Sequence, residues 1–94
     1  MTETDSSELD DIRVKIDRID AELATLICRR LELARIAGEM KHAYGVPIRA
    51  PDVEKKKIEK MEKFFKDHGQ DEEAGEAIWK EIMKWSLEVQ KSWF

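Results

Sequence analysis

Arg30 is the first residue here whose type and position could do chemistry. It lies in LATLICRRLELARIAG (23–38), where Leu23, Leu26, Leu33 and Ala37 recur at helical spacing and the position after Leu26 calls for a leucine. Lys41 follows eleven residues later. That is three turns plus about 20°, so it points nearly the same way, roughly 16 Å further along the axis. Two long cationic side chains can lean together across that gap and admit a small dianion. Glu54 heads a second apolar stripe, Glu54, Ile58, Met61 and Phe65. Ser86 and Gln90, one turn apart, form a polar strip bordering the apolar face of a third segment. Buried charge is costly unless paired, so such groups are partnered or await a charged ligand. None is an activated nucleophile or a tuned histidine base. A site of this composition holds an anion and stabilises developing charge rather than attacking covalently.

Plainer readings use the same residues. Arg30 and Glu54 can form a buried ion pair in a helical scaffold, Ser86 and Gln90 can line a helix margin, and Lys41 can snorkel near a helix end. Arg13 flanks Ile12 and lies beside the first stripe. From Arg13 to Arg30 is roughly 25 Å and about 100° around a helix, so one small ligand cannot touch both within one copy. If both serve one site, Arg13 comes from a partner chain, and antiparallel pairing of two long helices would build two equivalent sites.

The elements that position these residues are three helices. The first spans about Ser7 to Tyr44, with Leu9, Ile12, Ile16, Ile19, Leu23, Leu26, Leu33, Ala37, Met40 and Tyr44 stepping by threes and fours. Ser6 or Ser7 can cap it. Gly38 inside it is either tolerated or marks close approach of another backbone. Pro51 suits the first turn of the second helix, with Asp52 and Glu54 complementing the dipole and Gly69 a C′ stop. Asp71 is the expected N-cap of the third, which runs to the end with a stripe of Ile78, Ile82, Trp85, Val89 and Trp93. A first helix of that length reaches roughly 55 Å, whereas a compact domain of this size has a radius of gyration of only about 12–13 Å. Its far half needs cover, and the simplest cover is the same helix of a second copy. The expected fold is all-α, an intertwined homodimer of six helices built from a single domain over 1–94, with residues 1–6 frayed.

Composition excludes several classes. The chain has 94 residues, 40% of them charged, and a formal net charge of -4, which gives no global reason to seek nucleic acid. Lys55-Lys56-Lys57 is flanked by Glu54 and Glu59 and reads as a solvated face. One cysteine, Cys28, rules out an internal disulfide, and His42 and His68 stand apart, so no metal set is expected. No apolar run reaches the ~18 residues of a membrane span. The acidic MTETDSSELDD start is unlike a signal peptide, so a cytoplasmic location is expected.

DIRVKIDRIDAEL (11–23), CRRLELARIAGEMK (28–41), the GVPIR turn (45–49), Glu54 and WSLEVQ (85–90) carry a resemblance over roughly residues 8 to 91. The chain resembles the small all-helical chorismate mutases. That resemblance implies cofactor-free Claisen rearrangement of chorismate to prephenate, a step toward phenylalanine and tyrosine. It implies that Arg30 and the partner's Arg13 bind the two substrate carboxylates. It further implies that Lys41 and Gln90 hydrogen-bond the ether oxygen, that Glu54 accepts from the ring hydroxyl, and that Ser86 helps hold a carboxylate. Two positions depart from the family pattern: Ala50 where an aspartate is usual and Val53 where an arginine is usual. Arg49 and Lys57 are the nearby cations, neither at the matching position. IRAP (48–51), Trp85 and the Trp93-Phe94 tail also resemble the isochorismate pyruvate lyases, which form salicylate, although Glu54 and Ser86 match the mutases better. A mutase acting on amino-substituted chorismate and a non-catalytic helical dimer are the remaining alternatives.

Overall fold

The computed structural model describes residues 3–94. The fold is all-α, with α1 over Glu3–Tyr44, α2 over Pro51–Asp67 and α3 over Glu72–Lys91. Helix α1 begins ahead of the expected cap, so Ser6 and Ser7 lie inside it. Of the stretch expected to fray, Glu3–Ser6 is helical, and Met1 and Thr2 lie outside the described residues. Helix α3 stops at Lys91, and Trp93 and Phe94 follow in a turn whose amides bond the Gln90 and Lys91 carbonyls.

The helix ends are set by local chemistry. After α1, Gly45 takes φ +68 and the amides of Gly45 and Val46 return to the carbonyls of His42 and Lys41. After α2, Gly69 takes φ +73 and the amides of Gly69 and Gln70 return to Lys66 and Phe65. Both are Schellman closures, in which a left-handed glycine satisfies the last carbonyls. Pro51 opens α2, where its missing N–H costs nothing. Asp71 caps α3 by accepting from the Glu73 amide at 2.8 Å.

Helix α3 packs against both α1 and α2, which do not pack on each other among the described residues. Glycines sit at both crossings. A Cβ on Gly38 would lie 2.9 Å from Gln90 Cα, and one on Gly75 would lie 2.8 Å from the Met61 carbonyl oxygen. Gly38 is therefore a point of close backbone approach, and α3 can lie deep in the groove of α1.

The long apolar seam read from the sequence divides in two. From 27 to 41 the covered positions are Ile27, Arg30, Leu31, Ala34, Arg35, Ala37, Gly38 and Lys41. Leu26, Leu33 and Met40 stay exposed, as do Leu9, Ile12, Ile16, Ile19 and Leu23. Arg30 belongs with the face that meets α3. On α3 itself Ile78 and Trp85, two members of the expected stripe, are exposed in the single chain, while Ser86 and Gln90 are its most covered side chains at 7% and 6%. They sit at the helix crossing, not at its margin. No apolar side chain is buried among the described residues. The molecule is a rod of 63 × 25 × 15 Å with a radius of gyration of 17.9 Å, well beyond the ~12–13 Å of a compact domain this size.

Candidate active site

A cavity of about 180 Å³ opens where the α1–α3 crossing meets the first turns of α2. Arg30, Lys41, Glu54, Lys57, Ser86 and Gln90 supply its polar lining, and Ile48, Ala50, Val53, Met83 and Leu87 its apolar walls. Five of the six residues singled out from the sequence thus meet in one place.

Their hydrogen bonds form a chain along α3. Arg30 Nη1 donates to Ser86 Oγ at 2.5 Å, and that hydroxyl donates to the Ile82 carbonyl at 2.9 Å. Gln90 Nε2 donates to the Ser86 carbonyl at 3.0 Å. Lys41 Nζ donates to Gln90 Oε1 at 2.8 Å and to the Ile48 carbonyl at 2.8 Å. The last bond ties the inter-helix turn to α1, so the loop carrying the cavity wall is held by a site lysine. An ammonium has three protons and an amide nitrogen two. Lys41 and Gln90 therefore each keep one donor beyond these bonds.

Arg30 and Glu54 do not pair. Glu54 is taken by Arg49, with Nη2 3.1 Å from Oε1 and Nε 3.4 Å from Oε2. Arg49 itself does not line the cavity, whereas Lys57 does. Of the two cations near the unusual Ala50 and Val53, only Lys57 has access. The remaining sequence candidate, Arg13, stands apart on the bare half of α1, exposed and 3.5 Å from Asp10. Sequence reasoning missed the walls Met83 and Leu87, although each lies three residues before Ser86 or Gln90 and the two are four apart, which puts all four on one helical face.

An adjoining groove of about 590 Å³ shares Ile48, Glu54, Met83 and Leu87 and carries more lysines. Three of these are paired on their own helix, Lys80 with Glu76, Lys84 with Glu81 and Lys91 with Glu88. The smaller cavity, where cations lack carboxylate partners, is the better anion receptor.

Residues 12–91 match the family model described as chorismate mutase type II. The chain belongs to that family. It is 35% identical over 86 residues to a chorismate mutase of Methanocaldococcus jannaschii, a match covering 92% of this chain and 87% of that protein. It is 36% identical over 87 residues to the bifunctional chorismate mutase/prephenate dehydratase of Aquifex aeolicus, spanning 89% of this chain and 24% of that protein. A T-protein of Haemophilus influenzae is 48% identical over 46 residues, which is 49% of this chain and 12% of that protein. As a type II chorismate mutase, this chain lines its cavity with Ala50 and Val53, the two departures from the pattern expected of the family.

Proposed function

We propose that this protein is a chorismate mutase that converts chorismate to prephenate by a cofactor-free Claisen rearrangement, working as a homodimer. The reaction is pericyclic: the ether C–O bond breaks as a new C–C bond forms, and no nucleophile or proton donor is consumed. A protein accelerates such a step by holding the compact, reactive conformer and by aiming donors at the ether oxygen, where negative charge grows.

Each residue has a part. Arg30 binds one substrate carboxylate through guanidinium N–H groups left over from its bond to Ser86 Oγ. Ser86 fixes that guanidinium and stands beside the same carboxylate. Lys41 and Gln90 point their spare donors at the ether oxygen. Glu54 accepts from the ring hydroxyl, since a carboxylate has about four acceptor positions and Arg49 uses only two. The partner's Arg13 closes the open side and meets the second carboxylate.

The observation that carries this reading is the 2.8 Å bond between Lys41 and Gln90, at the point where Gly38 lets the two helices touch. It pre-positions two donors side by side, the arrangement an incipient oxyanion needs. Mixing the protein with chorismate and following the loss of its ultraviolet absorbance tests the reading. Decay well above the spontaneous rate, with prephenate formed, is expected. No decay, or salicylate formed from isochorismate in its place, overturns it.

A further inference from the structure

The cavity holds a third cation that no step above uses. Lys57 is half-buried and lines it together with Arg30 and Lys41. Those two are anchored, Arg30 to Ser86 and Lys41 to Gln90 and Ile48. Lys57 is not: among the described residues its ammonium has neither a hydrogen bond nor an ion pair. The reason lies in the helix. Its neighbours three and four positions away are Val53, Glu54, Lys60 and Met61. The one carboxylate among them, Glu54, is held on both oxygens by Arg49 from outside the cavity. Several other lysines of α2 and α3 have found a carboxylate on their own helix, such as Lys63 with Asp67 and Lys80 with Glu76. An ammonium at the cavity wall with no carboxylate of its own is free to pair with an anion that enters, and gains from the pairing as water is displaced. Val53, one turn before Lys57, and Ala50 are short and apolar, so the one carboxylate lining the α2 side is Glu54, already paired with Arg49.

We infer that Lys57 is a substrate-binding residue of this protein, supplying from α2 an ion pair to a carboxylate of the bound dianion. The inference rests on the proposed reading of the cavity as the site of a dicarboxylate substrate. Arg49 then has a separate role, because its ion pair with Glu54 offsets part of that carboxylate's charge beside Lys57. The contact is made with a group that stays anionic from substrate to product. It therefore lowers the energies of bound substrate and transition state alike, and its loss falls on KM rather than kcat.

The test is steady-state turnover of chorismate by the full chain, wild type against Lys57→Met, Lys57→Arg and Lys55→Met, with helicity checked by circular dichroism. Lys55 lines only the adjoining groove and serves as the control. For Lys57→Met a rise in KM of about 10-fold or more is expected, as for a lost hydrogen bond to a charged group, with kcat nearly unchanged. Lys57→Arg should restore most of the affinity, and Lys55→Met should match wild type. Calorimetric titration with prephenate should show the same order of affinities without turnover. An active wild type with an unchanged KM in folded Lys57→Met overturns the assignment and leaves the function standing. A wild type inactive on chorismate removes the reading on which the assignment rests.

Discussion

Arg30 and Gln90 are held by bonds that leave them different freedoms. Arg30 gives one N–H to Ser86 Oγ and presents the rest of a planar fork, which matches a carboxylate in two places. An ammonium cannot make that contact, so Arg30→Lys should lower kcat/KM by at least about 10-fold while the protein stays folded. Arg30→Leu separates an enzyme from a bare scaffold: an apolar residue on the α3-facing side should keep or raise the melting temperature yet abolish turnover. Retained turnover in that variant would remove Arg30 from the site. Gln90 lies 2.8 Å from Lys41 Nζ. A glutamate there would be held ionised by that cation and could donate only when protonated. Activity of Gln90→Glu should therefore climb as pH falls, and a flat pH–rate profile would contradict its role. The types and spacings of these residues were legible in the sequence because period 3.6 alone puts Arg30 with Lys41 and Ser86 with Gln90. The Arg49–Glu54 pair was not, because it depends on how the GVPIR turn folds back, and no helical period reports that.

Helix α3 is the element that makes the site, because it alone touches both other helices. Its closeness to α1 depends on Gly38. In Gly38→Ala the added methyl would sit 2.9 Å from Gln90 Cα and 3.0 Å from Gln90 Cβ. The overpacking cost of roughly 1–3 kcal/mol outweighs the ~1 kcal/mol that alanine contributes to helix propensity. Lower kcat at retained helicity is the expected result, and unchanged kcat would show that the crossing is not that tight. Between α2 and α3 a different strain is visible. The Glu62 carboxyl is pushed above its ordinary value, first by desolvation and then by Glu76, Glu72 and Glu59. A carboxylate whose folded pKa is raised costs stability once pH exceeds that pKa, and the cost vanishes below the unfolded pKa. Glu62→Gln should thus melt higher than wild type at pH 7 and equal to it near pH 3, followed by circular dichroism. The helix spans were legible because Pro51, Gly69 and Asp71 punctuate the chain. That Ile78 and Trp85 of the α3 stripe stay exposed in the single chain was not legible, since apolar periodicity does not say which part of a stripe its own chain covers.

At the scale of the whole molecule, one chain buries no apolar side chain among its described residues and leaves Leu9, Ile12, Ile16, Ile19, Leu23 and Leu26 bare along α1. Those residues recur at helical spacing over more than four turns, a surface that only another apolar face can satisfy. The proposed dimer supplies it and carries Arg13 toward the other protomer's cavity. Light scattering should give twice the chain mass, and the melting temperature should rise with protein concentration; a folded monomer would leave that stripe unexplained. The length of α1 made a bare stretch legible from the sequence, although which half would stay uncovered depended on where α3 comes to rest. The central claim is a chorismate site shared between two chains, and subunit exchange tests it most directly. Arg13→Ala and Arg30→Ala proteins, each inactive alone, are mixed in equal amounts, allowed to exchange, and assayed for chorismate turnover. Half of the randomly exchanged dimers would be mixed and would hold one intact site each, so recovery of about a quarter of wild-type activity is expected. No recovery after demonstrated exchange would contradict the shared site.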